Sequence, residues 1–333
     1  MGLFSRKGGS SDDRVRIFFA TDVHGSERTY RKFVNGAKFY KVDHLVMGGD
    51  IEGKFLVPIV AEGGGHYRVT LQEDISHLDG DDELKALKER IETLGFYHVV
   101  VTEEEIREMQ ADQSLVDAAF KREAHARLER WIALADERLA GTDTMMYVTG
   151  GNDDPQELID TLEEKQSDHV INCEGRIVML SDTFPMANCG YSNPTPWNTP
   201  RETDEETLEK YLEESLQGID DFTSAIFNFH VPPYDSTLDD CPKLDWSTDP
   251  PAPVVVAGVP QSAPAGSHAV RNVVERHQPL LMLTGHIHES RGLVKVKRTT
   301  VVNPGSEYGE GILRGCILTL APGKVVGYQM TSG

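Results

Sequence analysis

The stretch RVRIFFATDVHG, residues 14–25, decides the fold. Its first seven residues are a compact apolar run that predicts a buried strand, which ends at Asp22-Val23-His24. Ser26 then offers the N-cap of a helix to about Tyr40, and His44–Met47 predicts a second strand that ends at Gly48-Gly49-Asp50. This order of strand, helix and strand is typical of an open α/β sheet, in which ligands bind at the carboxyl ends of the strands.

Three later motifs also place polar side chains after predicted strands. Gly150-Gly151-Asn152 follows Met145–Val148, a lone His230 follows an apolar run, and Gly285-His286-Ile287-His288 follows another. Carboxylates, one amide and imidazoles that converge at strand ends suit a hydrolytic site with two metal ions. The candidate ligands are Asp22, His24, Asp50, Asn152, His230, His286 and His288.

The types of these side chains predict how they divide between two metals. Asp50 can bridge them with its two carboxylate oxygens, while Asp22 and His24 can reach one metal if their turn is tight. On one strand, His286 and His288 would share a face, which would aim both into one cavity. Mixed N and O donors without thiolate favour Mn, Fe, Zn, Ni or Co over Ca. A pair of such ions about 3.5–4 Å apart activates a bridging hydroxide and clamps phosphoryl oxygens, which predicts phosphate-ester hydrolysis.

The five motifs, in this order, resemble the blocks of the calcineurin-like metallophosphoesterase superfamily, and in particular those of its bacterial and archaeal Icc-like members. The resemblance implies an α/β fold: a four-layer αββα sandwich with helical and loop insertions that form a cap. It also implies that two divalent ions are cofactors, with manganese favoured. Asp22, His24, Asp50 and His288 would hold the first ion, and Asp50, Asn152, His230 and His286 the second. Most of the chain lies between the first and the last block.

The residue after Asn152 departs from the family pattern. Many members carry a histidine there that helps to expel the leaving group, whereas this chain has Asp153. A carboxyl group beside two divalent cations has a lowered pKa and cannot donate a proton near neutrality. We therefore expect Asp153, beside Asp50 among the catalytic residues, to orient a water or a histidine or to bind metal. Either the leaving group needs little protonation, or an insertion supplies the acid, for which His66 and His77 are candidates.

Candidates for substrate contact are fewer. A Pro/Asn-rich loop, residues 193–200, carries Trp197 as a candidate substrate wall, and Arg201 and Arg291 are candidate phosphate contacts. Asn303-Pro304-Gly305-Ser306 also resembles a family segment and predicts a turn near the site, although an ordinary Pro-Gly turn explains it equally well.

Because the candidate ligands span residues 22–288, we expect one catalytic domain, residues 14–333, after a disordered leader, residues 1–13. Insertions are predicted at about 54–142, 184–217 and 234–266. The first contains a hairpin, residues 55–60 and 67–72, followed by charged helices. The remaining elements are predicted helices at 82–94 and 102–139 and strands at 177–180, 225–229, 280–283, 300–302, 312–320 and 325–330.

Composition restricts the partners. The 333 residues carry a formal net charge of −21, which disfavours nucleic acids and anionic membranes and favours a small or medium phosphate ester. No apolar run approaches the roughly 20 residues of a membrane span. The four cysteines form no Cys-x-x-Cys pair, which excludes zinc-ribbon and thioredoxin motifs and favours free thiols in the cytoplasm. A homo-oligomer is compatible with these features.

Two alternatives remain at this point. One is a non-catalytic scaffold on the same fold, as in a retromer subunit of the family. The other is a hydrolase of nucleotide pyrophosphates or other phosphorus esters, since the chemistry of the insertions cannot be read from their composition.

Overall fold

The computed structural model describes residues 14–245, 247–248 and 251–333, so the predicted leader lies outside the described residues. The strands are β1 Val15–Ala20, β2 His44–Met47, β3 Leu56–Gly63, β4 His66–Leu71, β5 Asp74–Asp79, β6 Tyr97–Val101, β7 Met145–Val148, β8 Val170–Asn172, β9 Ile177–Ser181, β10 Phe184–Cys189, β11 Ile226–Phe229, β12 Asp240–Pro242, β13 Leu244–Asp245, β14 Ala252–Pro253, β15 Val255–Val256, β16 Val259–Pro260, β17 Ser262–Pro264, β18 Leu281–Leu283, β19 Gly292–Val296, β20 Thr299–Asn303, β21 Arg314–Ala321 and β22 Lys324–Ser332. The helices are α1 Glu27–Tyr40, α2 Asp81–Thr93, α3 Glu103–Ala111, α4 Gln113–Leu139, α5 Gln156–Lys165, α6 Glu205–Ser215 and α7 His268–His277, and Tyr308–Glu310 forms a 3-10 turn.

Two six-stranded sheets build the core. The first has the order β22-β21-β1-β2-β7-β8, and its four strands β1, β2, β7 and β8 run parallel. The second has the order β19-β20-β18-β11-β10-β9, with β10, β11, β18 and β20 parallel and antiparallel strands at both edges. Parallel neighbours end at the same edge of a sheet, so the segments that follow them lie side by side.

The sheets pack face to face, and helices cover both outer faces. Ile17, Phe19 and Leu283 belong to the buried cluster between the sheets. α1, α4 and α5 pack on the first sheet around Trp131, while α6 and α7 pack on the second sheet. Strands buried on both faces explain the continuous apolar runs of β1, β11 and β18. The predicted four-layer αββα sandwich is confirmed.

The first insertion contains more structure than a hairpin and helices. β3 and β4 form the predicted hairpin, but β5 and β6 extend it to a four-stranded sheet in the order β5-β4-β3-β6. The predicted helix over 102–139 is two helices, because the Asp112 side chain caps the backbone N–H of Ser114 and starts α4 there. We call residues 55–139 the inserted module.

The start of the second predicted insertion is wrong. Phe184–Cys189 is β10, which pairs with β9 and β11 inside the second sheet, and α6 packs against that sheet. Pro185 made the run look unlike a strand, but it lies at a register shift, where a proline is tolerated. The third predicted insertion contains the short pairs β12–β17, β13–β14 and β15–β16.

The cysteines and the helix lengths bear on two further expectations. All four cysteines are free thiols. Among the described residues, no helix has the length and apolar character needed to cross a membrane.

Candidate metal centre

The seven candidate ligands follow neighbouring strands of both sheets. Asp22, Asp50 and Asn152 come after β1, β2 and β7, which are adjacent in the first sheet. His230 follows β11, and the segment with His286 and His288 follows its neighbour β18 in the second sheet. The centre therefore lies where the carboxyl ends of both sheets meet.

Left-handed backbone conformations aim four of these ligands. Asp22, His24, Asp50 and His286 have φ of 53°, 38°, 51° and 66°, which is uncommon for residues other than glycine. The first two turns bond to each other, since the N–H groups of Asp22 and His24 donate to Gly49 and Asp50 carbonyls at 2.9 Å. Such strain clusters at functional sites because the surrounding contacts hold it in place.

The predicted reason for the convergence of His286 and His288 is wrong. β18 ends at Leu283, so the two histidines lie on a loop and not on one face of a strand. The left-handed turn at His286 separates their directions, and each joins a different group of ligands.

One group contains Asp22, His24, Asp50 and His288. The Nε2 atoms of His24 and His288 lie 3.2 Å apart, and His24 Nε2 lies 3.5 Å from Asp50 Oδ2. His288 Nε2 is also 3.5 Å from Asp22 Oδ1. Two imidazole nitrogens and two carboxylates thus face one small volume.

The second group shares Asp50 and adds His230 and His286. His230 Nε2 lies 3.4 Å from Asp50 Oδ2 and 3.1 Å from Asn152 Oδ1. His286 Nδ1 lies 2.7 Å from the same amide oxygen, which places Asn152 in this group. These are the two groups that the family resemblance implies.

The surroundings fit divalent cations. A Cβ at Gly151 would lie 2.1 Å from Asp50 Oδ1, and one at Gly285 would lie 2.3 Å from Asp22 Oδ2, so only glycine lets the backbone close around the carboxylates. Within each group of Asp and His ligands, one donor atom per residue lies within 4.8 Å of the others. Buried carboxylates need compensating positive charge, which an N/O set of this kind obtains from a metal.

The electrostatics of the centre match that assignment. Burial lowers the pKa of His24 to about 3 and that of His286 to about 4, so both imidazoles are neutral at pH 7. Burial also opposes a charged His230, but Asp50 outweighs it and raises the pKa of His230 to about 9. For Asp50 the effect of burial is exceeded by His230, and its pKa is lowered. The carboxylates are therefore ionised and draw positive charge to the centre.

Residues around the ligands hold their loops. The buried Asp154 carboxylate accepts from Ile51, Glu52 and Gly151 N–H groups at 2.7–2.9 Å, so it joins the loops that carry Asp50 and Asn152. Burial raises the pKa of Asp154 to about 6, and nearby Asp50 adds to the rise. No sequence motif indicates a role for Asp154, since a second aspartate after the Gly-Gly-Asn turn carries no specific signal.

The Asn303–Ser306 segment holds the histidine loop. The buried Asn303 amide donates to the carbonyls of Gly285 at 3.2 Å and Ile287 at 3.0 Å. Ser306 Oγ donates to the Asp22 carbonyl at 2.6 Å. The turn predicted near the site is present, and its side chains link β20 to ligand loops of both sheets.

Asp153 lies beside the ligands and pairs with Lys54, which no sequence motif indicates. Its Oδ2 atom is 3.7 Å from His24 Nδ1, and it forms an ion pair with Lys54 Nζ. Lys54 follows Asp50 by four residues, but nothing in the sequence connects it with Asp153, because the two loops follow different strands.

The three candidate substrate contacts lie in different surroundings. Trp197 is 68% exposed on a loop whose Thr199 Oγ1 accepts from the Asn152 amide at 2.8 Å, so the loop borders the centre. Arg291 is exposed and donates to the Thr331 carbonyl.

Arg201 has a different position from the one expected. It is 2% exposed, pairs with Glu174 and stacks on Tyr191, and its backbone N–H donates to the Asn152 carbonyl. A buried guanidinium in these contacts has no face for a substrate, so we correct its role to support of the loop that carries Asn152.

The proposed acid donors His66 and His77 are also corrected. Both lie on the outer part of the inserted module and pair with exposed acids, Asp79 and Glu62. His66 pairs with Gly63 at the far end of the eight-residue β3, roughly 23 Å from its start at about 3.3 Å per residue. His77 pairs with Arg68 two strands away from the centre. Neither position allows proton donation at the metal centre.

Comparisons with known proteins support the fold. No family model matches the chain. A region of 172 residues is 29% identical to an uncharacterised protein of Methanocaldococcus jannaschii. The match covers 50% of this chain and 68% of that protein. The crystal structure of TT1561 from Thermus thermophilus aligns with 96% of this chain and 98% of its own, with 14% identity and a TM-score of 0.50. A further crystal structure aligns over the same shares with 14% identity and a TM-score of 0.56.

The chain thus shares its overall fold with these two solved structures, and its Asp and His clusters could hold metal ions.

Proposed function

We propose that this protein is a metal-dependent phosphoesterase that prefers phosphodiesters and works with two divalent ions, manganese being favoured. The observation that carries the proposal is the shared position of Asp50, whose carboxylate belongs to both ligand groups. A carboxylate between two sets of N and O donors is the arrangement of a two-metal hydrolytic site.

Bound there, the two ions would supply an activated water as nucleophile and neutralise charge on the phosphoryl group. The chain itself contributes the geometry. Asp154 and Asn303 hold the ligand loops of the two sheets, and the strained turns at Asp22 and Asp50 keep the carboxylates aimed at the centre. Such preorganisation is what positions reacting groups before the chemical step.

The charge of the protein supports a small or medium substrate. A net charge of −21 repels extended polyanions, so a nuclease role is disfavoured, whereas a compact phosphate ester meets the local positive charge of bound metals. We place the enzyme in the cytoplasm, in agreement with four free thiols.

The test uses protein stripped of metal and reloaded singly with Mn, Zn, Fe, Co, Ni or Mg. Hydrolysis of bis-p-nitrophenyl phosphate and p-nitrophenyl phosphate is measured together with bound metal per chain. We expect two ions per chain and a higher rate with the diester. Asp50→Asn should lose bound metal and at least about 100-fold in rate, because even outer partners of metal ligands contribute 10–100-fold.

Asp182→Asn is the matched control, since Asp182 is an exposed turn residue between β9 and β10 and should keep both properties. Metal binding without turnover of either ester would favour a different phosphorus bond or a non-catalytic scaffold. Failure to bind any of the metals would contradict the proposal.

A further inference from the structure

A cavity lies at the opposite end of the sandwich from the metal centre. Its volume is about 480 Å³, within the range of about 300–1,000 Å³ that is usual for small-molecule sites. Thr223 and Leu280, which line it, come before β11 and β18, whereas the ligands His230 and His286 follow those two strands. The length of the core strands therefore separates the cavity from the metal centre.

Three cations line this cavity. Lys295 lies on β19, Arg298 in the turn between β19 and β20, and Lys324 at the start of β22. None of them forms an ion pair with a carboxylate of the described residues, and the lining residues include no Asp or Glu. The chain has 54 acidic and 33 basic residues, so the cavity runs against the composition of the protein. Charge of one sign that lines a concave surface attracts ligands of the opposite sign.

Contacts with the protein hold two of these cations in place. Lys295 Nζ donates to the Arg298 carbonyl at 2.9 Å and to Thr300 Oγ1 at 2.7 Å, which leaves one of its three N–H donors. Arg298 Nε donates to the Gln278 carbonyl at 2.7 Å, and the two terminal nitrogens of this guanidinium have no hydrogen-bond partner among the described residues. Both side chains are thus ordered with donors remaining, which lowers the entropic cost of binding an anion.

One acid near these cations is already engaged. Hydrogen bonds from the Thr223 N–H and hydroxyl, both 2.8 Å long, are the main cause of the lowered pKa of Asp221, and Arg298 adds a smaller contribution. Asp221 is not a lining residue and forms no ion pair with Arg298 within the part of the chain that the structure describes. The guanidinium therefore remains available to a ligand.

The walls of the cavity come from both sheets. Leu293 of β19 and Val325 of β22 give it an apolar part, beside the 57% exposed ring of Tyr328. At the rim, Gly323 N–H donates to Ser224 Oγ at 3.2 Å, which ties the turn between β21 and β22 to the segment before β11. One ligand can therefore contact cations and an apolar surface together.

We propose that this cavity is a binding site for an organic phosphate of nucleotide size. The phosphate groups accept from Lys295, Arg298 and Lys324, and the apolar part of the ligand packs on Leu293 and Tyr328. Three cations balance a diphosphate better than a single carboxylate, since one phosphate monoester carries a charge of about −1.5 to −2 at pH 7. The site does not depend on the proposed function, because it lies at the other end of the core strands and needs no metal.

The first experiment uses the full chain, stripped of metal and kept with a chelator, so that no metal ion holds phosphate at the metal centre. Titration calorimetry measures the binding of ADP, with adenosine and inorganic pyrophosphate as partial ligands. We expect ADP to bind more tightly than either, because only ADP reaches both the cations and the apolar wall. Absence of ADP binding would overturn the proposal, and so would pyrophosphate binding as tight as that of ADP.

The second experiment assigns the binding to this cavity. Arg298→Met and Lys324→Met should each weaken ADP binding about tenfold or more, because hydrogen bonds to charged groups are the stronger kind. Lys297→Met is the matched control, since Lys297 adjoins Arg298 in the same turn but pairs with Glu275 and does not line the cavity. Its ADP affinity should equal that of the wild type. Tyr328→Ser should weaken the binding of ADP but not that of pyrophosphate.

Binding at the metal centre is the competing explanation, and Lys54→Met separates the two. Its ADP affinity without metal should match that of the wild type. An affinity that falls in Lys54→Met but not in Arg298→Met would place the ligand at the metal centre and overturn the proposal. Equal losses in Lys297→Met and Arg298→Met would show general attraction by charge and would also overturn it. No measurement here uses hydrolysis, so failure of the proposed function leaves this test intact.

Discussion

The floor and the rim of the candidate centre differ in almost every physical property. We call the seven ligands the floor and Lys54 and Trp197 the rim. Five of the floor residues are buried, and several have strained backbones held by hydrogen bonds. Trp197 is 68% exposed, and Lys54 is partly exposed.

The two regions also differ in what carries them. Floor residues follow the core strands of both sheets, so the sandwich cannot form without bringing them together. Rim residues lie on connections between strands, where side chains can change at little cost to the fold. Under the proposed function, we expect the floor to determine the chemistry and the rim to determine the choice of substrate.

The largest effect is expected where the floor is tightest. Gly151→Ala places a Cβ 2.1 Å from Asp50 Oδ1 and 2.4 Å from its backbone nitrogen, and backbone cannot move aside easily. We expect loss of bound metal and about 100-fold or more in diester hydrolysis, because small displacements of reacting groups have effects of this size. Gly327→Ala, which meets open space on β22, should change neither. Equal activity of the two variants would contradict the tight packing of the backbone around the floor.

A smaller effect is expected from the supports of the floor. Asn303→Ala removes the side-chain donor that joins the buried carbonyls of Gly285 and Ile287, which then keep only their backbone donors, the N–H groups of Ile287 and Ser290. We expect metal affinity to fall about 10–100-fold, as for other partners that orient ligands. Titration of metal into stripped protein measures it. Thr299→Ala is the control, since Thr299 is a buried residue whose hydroxyl donates to the Pro279 carbonyl at the opposite end of β20. A loss of folding stability with unchanged metal affinity would contradict this role.

Rim substitutions should leave the metals in place. Trp197→Ala removes an exposed indole from the loop whose Thr199 contacts Asn152. We expect the KM for bis-p-nitrophenyl phosphate to rise about 2–10-fold, the usual value of an aromatic contact. Metal content and kcat should stay near wild type. Phe39→Ala provides the comparison, since Phe39 is an aromatic residue on α1 with 78% exposure. An unchanged KM would contradict a contact between Trp197 and the substrate.

The smallest effect concerns a buried histidine outside the centre. Burial lowers the pKa of His44 below its usual value of 6.5, and its hydrogen bond to the Leu180 carbonyl only partly opposes this. Below pH 6.5 the unfolded chain takes up a proton that the folded chain resists, so stability falls with pH in that range. His44→Gln should flatten the fall between pH 7.5 and 5.5 by about 1 kcal/mol or less of unfolding free energy, measured in urea. Parallel pH profiles for wild type and variant would contradict it.

The core strands were predictable because they are buried on both faces, which leaves continuous apolar runs in the sequence. β10 was not predicted as a strand. Its Pro185 argues against a central strand unless a register shift accommodates the proline. The exposed β5 carries almost no apolar pattern, and β6 was not recognised, so the inserted sheet appeared as a hairpin. The break at Asp112 was missed because the flanking residues are all compatible with one helix.

The sequence by itself determined which seven side chains meet at the centre, because each ligand motif follows a strand with its own local signal. The αββα sandwich was implied by the family resemblance of those motifs. Only the tertiary structure decided what surrounds them. The pair of Lys54 with Asp153, the burial of Arg201, the reach of Asp154 and the distance of His66 depend on contacts between segments far apart in the chain. Such contacts leave no periodicity or spacing in a single sequence, since they arise only when two sheets and an inserted module pack around one point.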